Sequence, residues 1–115
     1  MPSPDRPVYL RLRDHVVAMI LDGRIAEGAA LPSVRALAAE HGANPLTVAK
    51  AYQTFQEDGI VTVRRGVGMF VVDGAASRLR VAARARFLGE EWPEIAERIR
   101  RLDIDPADLL ERLPA

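Results

Sequence analysis

The sequence predicts a mainly α-helical protein with one small β-hairpin, and three observations carry that prediction. Apolar residues recur at helical spacing in three segments of the first 58 residues. Two β-branched stretches flank a glycine-bearing loop directly after them, and a second helical region with heptad spacing follows Gly74.

The chain of 115 residues is about one domain long, which leaves no room for a large enzyme fold. Hydrophobic residues make up 49%, far from the composition of disordered chains, so a modest core is expected. The longest unbroken apolar run, Val16 to Leu21, is too short to span a membrane, and the polar, proline-rich residues 1–7 are unlike a signal peptide. Cysteine is absent, which excludes disulfides, thiolate metal sites and cysteine nucleophiles and makes the cytoplasm the expected compartment. Formal net charge is zero, yet residues 1–88 hold 12 Arg or Lys against 8 acids, and residues 89–115 hold 4 against 8. The two ends are therefore expected to do different work. Fifteen of the 16 cations are arginine, whose planar fork suits phosphates and base edges, although a GC-rich genome produces the same bias and is the favoured explanation.

In the first helix Val8, Leu12, Val16 and Met19/Ile20 share one face, and Asp22-Gly23 stops it. Ser33 offers an N-cap to a second helix of about two turns, with Leu37 and Ala38 inward and His41-Gly42 at its end. Asn44 caps a third, where Pro45 takes the first position and Val48, Ala49, Tyr52 and Phe55 keep helical spacing as far as Asp58-Gly59. A short helix, a glycine-containing turn and a second helix form a helix-turn-helix. The stretches 60–63 and 69–72, joined by Arg64-Arg65-Gly66-Val67-Gly68, add a hairpin with a basic tip. Residues 7–72 thus read as a winged helix.

Beyond the composition shift at residues 73–76, the region 75–115 reads as a helical dimerisation tail. Val81, Ala85, Leu88, Trp92, Ile95, Ile99 and Leu102 follow alternating spacings of four and three, a heptad seam. Pro93 interrupts it at a cost of about 3 kcal/mol, but its i−4 neighbour is Gly89, so one kinked helix with the seam in phase is favoured over two helices. A last short helix has Asp105 as cap, Pro106 in the first position and Leu109, Leu110 and Leu113 on its apolar side.

DNA reading by a winged helix needs one helix with an outer face free of bulky apolar groups, and Thr47, Lys50 and Thr54 lie opposite Val48, Tyr52 and Phe55. Arg64 and Arg65 at the hairpin tip would set guanidinium groups against phosphates or into a minor groove. Arg35, early in the second helix, has the same use, the alternative being an ion pair with Glu40 or Asp58. His15 and His41 stand 26 residues apart with no partner at metal-ligand spacing and are read as structural, so no metal or cofactor is expected. No Ser/His/Asp order and no phosphate-binding glycine loop is present, and Glu94 and Glu97, each four residues before Arg98 and Arg101, are ordinary helix pairs. An enzyme is not expected. Phe87 and Trp92 at helical spacing are read as core or dimer interface in preference to the lining of a ligand pocket.

Taken together, Pro7–Leu10, Ile20–Ile25, Gly28, Leu31–Ala38, Gly42, Asn44-Pro45, Thr47–Tyr52, Glu57–Gly59 and Arg64–Val71 resemble the amino-terminal domain of GntR-family bacterial transcription regulators over residues 7–72. The short remainder is similar to the YtrA-type subfamily, whose two-helix tail serves dimerisation. The resemblance implies that Arg35, Asn44, Thr47, Arg65 and Gly66 approach an operator, with Lys50 as a further contact, and that Tyr9, Tyr52 and Phe55 belong to the core. Leu46 departs from the asparagine or other polar residue frequent at that position; it can touch a thymine methyl but makes no bidentate base contact. The expectation is a homodimeric, sequence-specific regulator, a repressor, on a pseudo-palindromic duplex operator. A winged helix used only to bind another protein is the alternative, and a small-molecule effector is left open.

Overall fold

The computed structural model describes residues 6–114; residues 1–5, which hold most of the proline-rich start, and residue 115, the last of the expected tail, lie outside it. Three helices come first: α1 (Val8–Leu21), α2 (Val34–His41) and α3 (Pro45–Glu57). A hairpin of β1 (Val61–Arg64) and β2 (Gly68–Val71) follows, and then α4 (Ala75–Arg86), a π-helical turn (Phe87–Glu91), α5 (Trp92–Arg101) and α6 (Pro106–Arg112). The chain divides into two compact units between Leu79 and Arg80. Among the described residues no helix is long and apolar enough to cross a membrane.

The caps read from the sequence form. Ser33 Oγ accepts from the Ala36 N–H at 3.1 Å, and Asn44 Oδ1 accepts from the Leu46 N–H at 2.8 Å, each satisfying a helix N-terminal donor. At the turn between α2 and α3, Gly42 takes φ +60, which glycine adopts without steric cost, and the Ala43 N–H closes back on the Ala38 carbonyl at 2.9 Å.

The core of the first unit is one cluster. Leu12, Val16 and Ile20 of α1 meet Leu37 and Ala38 of α2 and Val48, Ala51, Tyr52 and Phe55 of α3. Ile60, Val61 and Val71 join it from the hairpin, and Ala75 and Leu79 from the start of α4. Phe55, Leu37, Val16 and Val48 are fully buried, each contributing about 1.5–3 kcal/mol by leaving water.

In the hairpin Val61 faces Val71 and Arg64 faces Gly68. The connector between α1 and α2 adds backbone bonds that the sequence did not announce: Gly28 N–H to Val71 O at 2.7 Å, Leu31 N–H to Met69 O at 2.8 Å and Val71 N–H to Ala29 O at 2.9 Å. The hairpin is thus tethered along β2 to the segment that leads into α2.

Side chains complete these joints. Both carboxylate oxygens of Glu27 accept backbone N–H groups at the start of α4, from Gly74 at 2.9 Å and Ala76 at 3.0 Å, and these bonds hold its carboxyl below the usual range. Arg78 donates to the carbonyls of Gly59 at 3.0 Å and Asp58 at 2.6 Å, groups left over where α3 ends. The buried Tyr52 hydroxyl donates to the Pro32 carbonyl at 2.6 Å, and burial, assisted by the Glu40 charge, pushes it up to about 12.

In the second unit the chain stays helical through Pro93, as a π-helical turn followed directly by α5. Arg86, Glu91 and Trp92 keep right-handed helical dihedrals, and the Trp92 N–H reaches back five residues to Phe87 O. A π turn takes up one residue more than an α turn, so the expected seam does not stay in phase. Val81 and Ala85 precede the step, while Trp92, Ile95, Ile99 and Leu102 keep their own stripe after it. Among the described residues from Arg80 onward none is buried.

Tyr52→Phe removes the hydroxyl bond to Pro32 and leaves the ring in place. We expect a loss of about 1 kcal/mol, read as a lower urea midpoint with an unchanged slope.

Candidate nucleic-acid interface

The face of α3 turned away from the core begins with Leu46, which is 78% exposed on the first turn. Thr47 is half-buried and Lys50 exposed one turn on. The Leu46 N–H is taken by Asn44, and those of Thr47 and Val48 by the Asn44 carbonyl at 2.9 and 3.2 Å. With these donors spent, side chains must make the contacts at this end. The Asn44 side chain keeps its NH2 group to donate outward while its oxygen caps the helix.

Lys50 leans toward α1, its Nζ 4.1 Å from the ring centroid of half-buried Tyr9. A cation over an aromatic face at an exposed site is worth about 0.5–1 kcal/mol, so the ammonium is pre-positioned yet not desolvated. Thr54 leaves the outer face expected of it. Its hydroxyl accepts from Arg13 Nη1 at 2.7 Å and donates to the Ala51 carbonyl at 2.6 Å. Arg13 also pairs with Asp58 at 2.9 Å and lies 4.6 Å over the Phe55 ring, tying α1 to α3. Sequence reasoning missed this arginine, because its three partners lie more than 40 residues away.

Arg35 is exposed near the start of α2 and, among the described residues, pairs with neither Glu40 nor Asp58. On the wing, Arg64 belongs to strand β1, opposite Gly68, and its guanidinium lies 4.3 Å over the Phe70 ring. The tip proper is Arg65-Gly66-Val67, closed by a Val67 N–H to Arg64 O bond of 2.9 Å with Gly66 at φ +77, the positive value that the third position of a type II turn requires. Arg65 and Gly66 are exposed at the end of the hairpin. Arg64 is therefore braced along the wing, and Arg65 extends from its end.

The histidines differ from expectation. His15 on α1 and His41 at the end of α2 meet edge to face, ring centroids 4.4 Å apart, because the packing of Val16 and Leu37 into one core brings the two helices side by side. Burial and then the neighbouring His41 lower the pKa of His15 from its ordinary value, with Arg24 acting in the same direction and Glu40 against it. A histidine harder to protonate in the folded state makes the unfolded chain the better proton acceptor. Stability is then fullest above the ordinary imidazole pKa of about 6.5 and declines as pH falls through it. We expect the melting temperature to drop between pH 7.5 and 5.5, and His15→Gln to flatten that drop.

Three helices closed by a core, with one helix face left to solvent and a basic hairpin beside them in the same unit, define a winged helix-turn-helix protein. The sequence description of bacterial regulatory proteins of the gntR family matches residues 8–71, and the chain belongs to that family. The HTH-type transcriptional repressor YtrA of Bacillus subtilis is 36% identical over 78 residues, 68% of this chain and 60% of the relative. A transcriptional regulator from Oenococcus oeni has a solved structure that superimposes with a TM-score of 0.67 at 29% identity, covering 96% of this chain and 91% of the other. The DNA-binding domain of AraR, solved in complex with its operator ORX1, shares the fold at a TM-score of 0.56 and 22% identity, over 63% of this chain and 92% of that one. The chain matches about three fifths of the length of the Bacillus relative.

Proposed function

We propose that the protein is a sequence-specific, homodimeric regulator of transcription, a repressor, that binds a pseudo-palindromic duplex operator through residues 7–72 and dimerises through residues 75–115. The observation that carries the first half is the union in one compact unit of an exposed α3 face, from Leu46 to Lys50, with a wing ending in Arg65. Arg35, Asn44, Leu46, Thr47 and Lys50 serve the groove and its flanking phosphates, and Arg64, Arg65 and Gly66 serve the backbone or minor groove beside it. Leu46 favours a thymine methyl over a polar base edge. Nothing in this arrangement calls for catalysis. Selection from a random duplex pool tests the reading: recovery of a two-fold symmetric sequence supports it, and the absence of salt-sensitive binding to any duplex leaves a protein-interaction module instead.

The dimer half rests on exposure. Val81, Leu88, Trp92 and Leu102 are 68, 53, 44 and 63% exposed, and a unit with this much apolar surface and no buried residue among those described lacks a core of its own. Ile95 and Ile99, half-buried already, belong to the stripe after the π turn that a second copy would cover, and Ala85 joins Val81 on the stripe before it.

Two measurements follow from these roles. Arg65→Ala should lower affinity for every duplex alike and reduce the slope of log K against log salt by about 0.9, the signature of one lost phosphate contact; an unchanged slope removes Arg65 from the backbone-contact class. Leu88→Asp with Trp92→Asp should give a monomer by sedimentation, with the winged helix folded and binding to the full operator weakened by orders of magnitude, because charge would have to be buried at the seam. A variant that stays dimeric refutes this seam.

A further inference from the structure

We propose that His15, Glu40 and His41 form a binding site for a divalent transition-metal ion of the zinc type, bridging α1 to the end of α2. Each residue presents one ligand atom, and the three atoms all lie within 4.8 Å of one another. This inference is independent of the DNA-binding reading.

The donor set suits such an ion. Two imidazole nitrogens and a carboxylate oxygen are a recurrent zinc combination, with bonds of about 2.0–2.2 Å and a fourth position left to water. Imidazole favours Zn2+, Cu2+ and Ni2+ over Mg2+ or Ca2+, which prefer oxygen throughout. At a tetrahedral angle, bonds of about 2.05 Å place donors about 3.3 Å apart. Exposed Glu40 and His41 can close that distance by rotating about their side-chain bonds, with no movement of either helix.

The frame that holds the ligands is rigid. His15 is half-buried one residue before Val16, which is fully buried, and Glu40 and His41 follow directly on the segment that buries Leu37 and Ala38. The ligands therefore come from two elements whose relation the core fixes, and less conformational freedom is lost on binding. The two rings already meet edge to face with centroids 4.4 Å apart, so both imidazoles stand at the same spot between the helices. The charges facing His15 are His41 and Glu40 from α2 and Arg24 from the loop after α1. Glu40 offsets the positive charge an ion brings, and Arg24 opposes it.

An ion held here would link α1 to the turn that precedes Asn44, the cap of α3. Only two residues separate His41 from that cap, so the site braces the approach to the exposed end of the third helix.

The test uses the full chain. Zn2+ alone at about ten times its dissociation constant should raise the melting temperature by about 5–10 °C. The chain has two histidines, so its imidazole nitrogen NMR spectrum contains two ring systems, and Zn2+ should shift one nitrogen in each. The double variant His15→Gln/His41→Gln should lose the thermal response, and Glu40→Gln should weaken it while keeping both imidazole shifts. His41→Gln alone, at an exposed position, carries the test if the double variant does not fold. No rise in melting temperature in the parent, an equal rise in the histidine variants, or imidazole signals that ignore Zn2+ would each overturn the site.

Discussion

Everything in the first unit depends on α3 being buried on one side and bare on the other. Val48, Ala51, Tyr52 and Phe55 form a wall against which α1, α2 and the hairpin all close. Since the wall consumes the inward face, whatever the helix does for function must be done from Leu46, Thr47 and Lys50 on the remaining one. Shrinking Phe55 would open a cavity at the meeting point of all four elements, at a cost of about 3–5 kcal/mol, a large part of what a domain this size has to spare.

Polar contacts then decide how the peripheral pieces are aimed at that wall. Glu27, Arg78 and Tyr52 all satisfy backbone groups at the ends of elements: the start of α4, the end of α3 and the entry to α2. A bond from a side chain to a helix end fixes both position and direction, which apolar contact by itself does not. The wing is aimed the same way, with the connector from Gly28 to Leu31 bonded along β2. The helices supply the cohesion, and these few bonds supply the orientation.

Local order was legible in the chain, and contact across it was not. Ser33, Asn44 and Pro45 announce helix starts because capping is a matter of residues two or three apart, and Arg64–Gly68 announces a hairpin because a turn is four residues long. The Arg13 link to Thr54 and Asp58, the Lys50 placement over Tyr9 and the meeting of His15 with His41 arise from how helices lie side by side, which no local spacing encodes. Arg65 could be nominated from its turn, whereas Arg64 was put at the tip although the ladder includes it. The tail differs from its spacing at one point for a definite reason: a heptad count assumes uniform α winding through Pro93, and the backbone widens one turn just before it.

That widened turn has a consequence for how such a tail can change over generations. A π turn amounts to one residue inserted into an α-helix, so removing a single residue between Phe87 and Glu91 restores ordinary winding. Every side chain after it then keeps its direction about the axis, because the wider turn had already absorbed the extra residue within about the same rotation. The stripe carrying Trp92, Ile95 and Ile99 would point the same way as before. A single codon gained or lost at this turn can thus be absorbed without re-aiming the apolar surface, and related chains can differ in length there while keeping one pairing geometry.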